Sequence, residues 1–542
     1  MAHGLGRALM GATVARAGKR LAIAVALAAA MAGFFFAGTK GGLTGAAAGF
    51  QLYDQGRNAA GEPVPAIVQG DIEADSLQLT CTSCHGRSGL GSIEGGRLVP
   101  PVRWQYLMER GTNYGGHRPR YDREGVLRAI REGVGPAGKP LDGLMPRYRL
   151  SDEEGEQLLA YLESLTAEMS PGVTPTTLEL ATVIAPDAEP AQARAMLDVL
   201  ERYIADKNAQ SRGESRRRAV DRKELRVMYK GYRDWKLNVW RLEGRPESWG
   251  RQLAANYAAQ PVFALLSGIG RDWRPVHEFC EKERVPCLLP NTDLPVVDQK
   301  NEWTVYFSEG LHLEAEIIAA QFGASAAPRI LQVLRAGEPA EQAAAGLDRA
   351  AALHGWPAPA TERLAAVDRP DAAWLSRRAE AAKADAVVLW LGPDDLARFD
   401  GAKLAARVFV SGSSLGPHGA APRLAAREAS LVQPFAVGAV HDERFRRTEL
   451  WIKAKGIAPG DQRIQDQTLF ACMLLGENLR HLLDHFYRDY LLEKFDHDSS
   501  NVGYTAFYPR LTFGPGQRYL SKGAWVVPLS GSAKEKWALP GM

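Results

Sequence analysis

Cysteine is scarce in this chain, five among 542 residues, and only Cys81 and Cys84 have C-x-x-C spacing. A second CxxC, which a four-cysteine zinc site needs, is missing. Net charge is nearly missing too. Lys+Arg 66 against Asp+Glu 63 leaves +3, too small an excess for binding nucleic acid through counterion release along the whole chain. No Ser/His/Asp arrangement, paired-carboxylate site or phosphate loop stands out, which argues against hydrolytic chemistry. What the chain does have is apolar material. Hydrophobic residues make up 46%, charged residues 24% and aromatics 8%, enough to build cores and incompatible with a collagen-like or wholly disordered chain. On a prior of about 150 residues per domain, this length implies several units.

Residues 1 to 20 contain Arg7, Arg16, Lys19 and Arg20 and no acidic residue, and an apolar run of 17 residues follows from Leu21 to Ala37. That order reads as an export signal. The run lies between a signal-peptide core and the roughly 20 residues that span a bilayer, so residues 1–40 are expected as a cleaved signal peptide or a retained membrane anchor. Small residues at Ala30-Met31-Ala32 suit a peptidase, whereas Phe34, Phe35 and Phe36 suit retention. Positive charge ahead of the run places everything after Lys40 on the exported side.

The strongest chemical motif is Cys81-Thr82-Ser83-Cys84-His85. Two thiols three residues apart can form thioethers to both vinyl groups of a haem, and the next His is held under the iron. One covalently attached haem c is therefore expected, with His85 as an axial ligand. A second axial ligand is sought downstream. Met145, in Gly143-Leu144-Met145-Pro146-Arg147-Tyr148 and just ahead of the capping-box sequence Ser151-Asp152-Glu153-Glu154, is the best candidate. His117 competes with it, and Met108 reads as core.

Here the chain resembles a class I monohaem cytochrome c, over about residues 45 to 168. The resemblance implies an all-α domain, with bounds at 41–169. In it the helix of Gly49-Phe50-Gln51-Leu52-Tyr53 crosses that of Leu158-Leu159-Ala160-Tyr161-Leu162. The helix Gly125–Arg131 is similar to the one preceding the Met loop, and Pro100 or Pro101 is similar to the proline whose carbonyl supports the haem-ligating His. Residues 41 to 170 hold 13 Lys+Arg and 17 Asp+Glu, a balance that does not favour an acidic partner.

Ser170 to Thr177 reads as a linker. Beyond it strand-like and helix-like runs alternate: Leu178–Ile184, 188–206, Leu225–Tyr229, 247–258, Pro261–Leu266, 272–283, Val285–Leu289, then Arg329–Arg335, Pro339–His354, Ala386–Leu391 and Arg407–Gly412. Such alternation predicts parallel sheets covered by helices, and the length predicts an α/β arrangement of two lobes. The order of pieces over residues 178–542 resembles type 1 periplasmic binding proteins, the group that includes Leu/Ile/Val-binding subunits of ABC transporters. The resemblance rests on Ala264–Gly270, Val285–Thr292 and Phe513–Ala524. It implies two hinged lobes with a small-molecule ligand in the cleft between them, and by position Ser267, Gly268 and Gly270 lie in the ligand loop. The chain departs from amino-acid binders at Arg271, Asp272 and Trp273, and in Ala185-Pro186-Asp187-Ala188, which lacks a Gly-rich turn.

Cys280 and Cys287 are a possible disulfide in an exported chain, with two buried thiols as the alternative. Cys472 reads as core. Residues 212 to 251 hold 13 Lys+Arg and 6 Asp+Glu with Trp235, Trp240, Trp249, Tyr229 and Tyr232 interleaved, either a partner surface or a solvated face with core aromatics. His481 and His485, with Asp484 between, lack a third metal ligand.

Two functions fit. One is an exported electron carrier that takes electrons from a periplasmic dehydrogenase, with quinoprotein alcohol oxidation systems as an association, and whose second half docks a partner or binds a ligand. The other is a ligand sensor or transporter-type solute-binding protein whose cleft is coupled to the haem.

Overall fold

The structure is a computed structural model that describes residues 45–94, 97–113, 116–166, 168–218, 233–296, 301–323, 327–337, 339–416, 421–436, 438–482, 485–498, 508, 511, 518–529 and 536–539. The export segment, Leu225–Tyr229, Tyr232 and Asp484 lie outside them. Among the described residues no helix is long and apolar enough to cross a membrane. The chain divides into two compact units, Met1–Ala167 and Glu168–Met542.

In the first unit, the last helix, Asp152–Ser164, starts in a full capping box: the Ser151 side chain accepts from the Glu154 N–H, and the Glu154 side chain accepts from the Ser151 N–H. Its buried face, Leu158, Leu159, Tyr161 and Leu162, follows helical spacing and packs on the short helix Gly45–Phe50 and the wide turn Gln51–Gln55. Gly49 lets the two backbones meet, because a β-carbon there would lie 2.0 Å from the Gln157 carbonyl oxygen. Tyr161 closes the crossing against Phe50 and Tyr53, with ring centroids 5.6 and 5.1 Å away. The helix Arg123–Glu132 is capped by Asp122, which accepts from Gly125 N–H at 2.7 Å, and ends at left-handed Gly133.

The first unit is not all-α. The strand Pro65–Val68 pairs antiparallel with Ile72–Asp75 and with Arg147–Tyr148, and two further short antiparallel pairs join Ile93–Glu94 to Arg97–Leu98 and Gly111–Asn113 to Gly116–Arg118. These strands are two to four residues long, too short for a period-2 pattern to show in the sequence.

The second unit holds two sheets. The first is fully parallel, in the spatial order Thr304–Val305, Cys287–Leu288, Ala264–Leu266, Thr177–Ile184, Asp234–Arg241. Thr177–Ile184 is buried along nearly its whole length, as expected of a central parallel strand covered on both faces. Helices Pro190–Arg218, Trp249–Ala259, Arg274–Glu283 and Gln462–His481 cover it, and Cys472 is core. The second sheet runs Ala360–Leu364, Ile330–Arg335, Ala386–Trp390, Lys403–Ser411 and Ala425–Gln433 in parallel, then Ala524–Pro528 and Lys536–Ala538 antiparallel.

The chain leaves the first sheet at Tyr306, returns after Gln433 and crosses again near Tyr519. The first and last crossings lie side by side: Tyr306 N–H donates to Arg518 O (2.8 Å), Leu520 N–H to Tyr306 O (3.1 Å), and the Tyr306 and Tyr519 rings stack at 5.9 Å. Residues 170–177, expected as a linker, are tied into this unit. Ser170 N–H donates to Phe486 O at 3.0 Å, and Arg488 bonds Ser170 Oγ, Tyr257 Oη and the carbonyls of Val262 and Phe263.

Candidate functional site

In the first unit, Thr80 caps a helical turn, Cys81–His85, that carries the whole CxxCH motif. Thr82 hydroxyl bonds the Tyr53 carbonyl and Asp54, and Tyr53 hydroxyl donates to Gly86 O at 2.7 Å, so the crossing described above holds the motif in place. Cys84 is exposed and Cys81 half-buried, both as free thiols. The His85 ring is buried, and its Nδ1 lies 2.9 Å from the Pro100 carbonyl oxygen. A carbonyl only accepts, so Nδ1 carries the proton and the Nε2 lone pair has no hydrogen-bond partner among the described residues. Burial lowers the His85 pKa from its ordinary value, against the opposing pull of the Pro100 carbonyl. A neutral, fixed imidazole with an unused Nε2 beside two free thiols fits a covalent haem. Of the two prolines considered, Pro100 supplies the carbonyl.

Met145 is half-buried in a loop fastened from several sides. Gly143 O accepts from Gln69 N–H at 2.8 Å, and Asp142 accepts from Leu144 N–H at 3.0 Å while pairing with Arg97 at 2.7 Å. Tyr148, three residues on, reaches back to the Leu79 carbonyl just ahead of the haem motif. The loop bearing Met145 is thereby joined to both the haem motif and the 97–100 stretch. His117 is exposed on a strand, and Met108 packs on the core.

In the second unit, Ser267, Gly268 and Gly270 follow a strand end, where open parallel sheets bind ligands. Ser267 has φ +56° and Gly268 φ +105°, and a β-carbon on Gly268 would lie 2.6 Å from the Trp273 ring. Their groups are already used. Ser267 Oγ accepts from Asn291 Nδ2 at 2.8 Å, and Ile269 N–H and Gly270 N–H donate to Val183 O and Asn291 O. Asp187, from the turn after the first strand, accepts the N–H groups of Arg271 (3.1 Å) and Asp272 (3.0 Å). The sheet order reverses between Thr177–Ile184 and Ala264–Leu266, so Asp187 fills the crevice at the switch point with a carboxylate of the chain's own. In the second sheet the equivalent reversal is bridged by Arg335, bidentate to Asp395 at 2.5 and 2.7 Å.

A second set of polar residues went unread in the sequence. Arg463 is buried and holds both oxygens of Asp293 at 2.8 and 3.2 Å. Glu314 is fully buried, accepts from Ser411 Oγ (2.5 Å) and Ser413 N–H (3.0 Å), and is pushed up to about 8 by burial. These residues are isolated in sequence, with no spacing that brings them together.

Cys280 and Cys287 are buried free thiols close enough to hydrogen-bond, and burial pushes Cys280 well up. Trp235, Trp240 and Trp249, the tryptophans of the 212–251 segment, are core residues. His481 ends its helix and pairs with Glu477. Among the described residues no group of three or more His, Cys, Asp or Glu is placed to hold a metal ion.

Residues 74–166 match the cytochrome c family. The first unit carries a cytochrome c domain, and solved structures similar to the chain include type 1 periplasmic binding proteins. Similar solved structures include the fatty acid ABC transporter substrate-binding protein from Thermomonospora curvata, at 14% identity over 69% of this chain and 94% of that one (TM-score 0.46). Others are a putative branched-chain amino acid ABC transporter from Rhodospirillum rubrum, at 15% over 67% and 99% (0.45), and a type 1 periplasmic binding protein from Bordetella pertussis, at 13% over 67% and 100% (0.44). No curated protein matches the chain.

Proposed function

We propose that this chain is an exported electron-transfer protein whose first unit takes electrons from a periplasmic dehydrogenase and passes them to a respiratory acceptor. The observation that carries this is the His85 ring, buried and held at Nδ1 by Pro100, with Nε2 unused beside Cys81 and Cys84. Haem c, when bound through these residues, supplies a centre that gains and loses one electron. The chain's own residues orient the imidazole, keep it neutral and offer the Met145 thioether from a fastened loop. The second unit docks the partner or binds a small molecule in the periplasm.

The test is optical. The oxidised, haem-loaded protein is mixed with periplasmic extract, and alcohols, amino acids or inorganic donors are added one at a time. Rapid haem reduction with one substrate class supports the carrier and names its donor system, with quinoprotein alcohol oxidation first among the candidates. Silence from every donor, with the haem still reducible chemically, overturns the carrier in favour of a sensor.

A further inference from the structure

The helix Arg274–Glu283 and the strand Cys287–Leu288 are joined by a short turn. In it Arg284 takes the left-handed conformation, φ +53°, and the Cys280 carbonyl accepts the N–H groups of both Arg284 and Val285. A chain that turns back this tightly lays the start of the strand against the last turn of the helix. The two residues that meet there are Cys280 and Cys287. Both are 0% exposed, they share one apolar cluster with Phe279, Val285, Tyr306 and Tyr519, and their thiols lie within hydrogen-bonding reach of each other.

The sheet makes this pairing selective. Leu265 and Cys287 stand opposite each other on neighbouring strands and belong to that cluster. Ala264, Leu266 and Leu288, one step along the same strands, belong to the cluster on the other face, which also holds Cys472. The first sheet therefore stands between Cys472 and the pair. Cys81 and Cys84 lie in the first unit, on the helical turn that offers them to a haem. Each thiol of the pair thus has one thiol neighbour in its own unit, and that neighbour is the other.

We infer that Cys280 and Cys287 are joined by a disulfide in the exported protein, made while the second unit folds. An exported chain meets an oxidising compartment, where neighbouring thiols are converted to disulfides. The oxidant is a protein disulfide of that compartment. One thiolate of the chain attacks it, forming a mixed disulfide and releasing one thiolate of the oxidant. The second thiolate of the chain then attacks the mixed disulfide, which closes the Cys280–Cys287 bond and releases the oxidant as a dithiol. Two electrons pass from the chain to the oxidant, and the protons lost by the chain's thiols are taken up by the oxidant's. Exchange needs an accessible thiolate, and burial removes both the access and the thiolate. The bond therefore forms before the helix is covered, and afterwards it is closed to reductants as well. It fastens helix to strand beside Tyr306, where the chain leaves the first sheet.

The test maps the thiols of the full haem-loaded chain, recovered from the exported fraction so that export is established before the pairing is read. The chain is unfolded in urea, treated with iodoacetamide with or without prior reduction, digested and weighed by mass spectrometry. Without reduction, Cys472 is expected to carry label while the peptides of Cys280 and Cys287 are joined, lighter by two hydrogen atoms than the separate peptides; after reduction all three carry label. A reductant added to the folded chain is expected to leave the bond intact, and ready reduction there overturns the order of bond before burial. Cys280→Ala is expected to leave Cys287 open to label without reduction and to lower the urea midpoint, whereas Cys472→Ala leaves the linkage in place. The mapping is made on the parent chain, so a variant that fails to fold does not decide it. Label on both Cys280 and Cys287 without reduction overturns the disulfide and leaves the electron carrier standing, and linkage of either residue to Cys472 overturns the pairing.

Discussion

Gly49 presses its bare Cα against the backbone of Gln157, with only 2.0 Å available for a β-carbon before it meets the carbonyl oxygen. Backbone cannot swing aside as a long side chain does, so Gly49→Ala forces the two helices of the haem unit apart. The expected cost is about 3 kcal/mol, at the upper end of overpacking effects. Denaturant unfolding of the haem-loaded chain, followed at the haem absorption, measures it. A variant as stable as the parent means that the helices do not cross at this point.

Met145→Ala removes the proposed thioether ligand while leaving His85 and the two thiols untouched. The haem is expected to remain attached, to show a changed spectrum and to bind added imidazole or cyanide that the parent resists, because a coordination position opens. The same change at Met108 is expected to leave ligand binding alone. Imidazole affinity of the two variants against the parent decides between them.

Asp187→Ala strips the cap from the N–H groups of Arg271 and Asp272. The expected loss is about 1–2 kcal/mol, the range for hydrogen bonds to a charged acceptor. Acetate in solution is expected to restore part of it by occupying the vacated donors. Thermal unfolding with and without acetate checks both halves; a variant indifferent to acetate shows that the crevice closes by other means.

Glu314 sets a direction for stability against pH. Its folded pKa is raised from 4.5 to about 8, burial outweighing the hydrogen bonds from Ser411 and Ser413, with the Asp293 charge adding to the rise. The folded state therefore holds a proton that the unfolded chain has released. Stability is fully present below about 4.5 and is lost as pH rises towards 8. Glu309, raised to about 7 with burial again foremost, acts in the same sense over a narrower window. Glu314→Gln is expected to flatten the fall between pH 5 and about 8, read as urea midpoints by tryptophan fluorescence; an unchanged slope assigns the fall to other groups.

The haem unit was legible where chemistry depends on residues adjacent in sequence. The CxxCH spacing lands on one helical turn, and Ser151 with Glu154 forms the capping box that its spacing announces. The small antiparallel strands were not legible, because their pairing is set by the chain closing around the motif. In the second unit, apolar runs such as Ala386–Trp390 marked the strands directly. Glu314 and Ser413 lie 99 residues apart, and Arg463 and Asp293 lie 170 apart, so nothing local signals that they meet. The Ser267–Gly270 loop follows the strand Ala264–Leu266, but Asn291, 24 residues beyond Ser267, takes the Ser267 hydroxyl, a meeting that nothing local signals.

Arg488 bonds to residues around 170 and around 262, and its N–H meets the Ser170 hydroxyl across 318 positions of sequence. A chain emerging amino end first completes its haem unit long before this arginine exists. The first lobe of the second unit must then wait, its sheet edge and apolar helices open, until almost all of the remaining residues have been made. Order of synthesis therefore completes the first unit early and leaves the second exposed to aggregation or proteolysis for most of the chain's production.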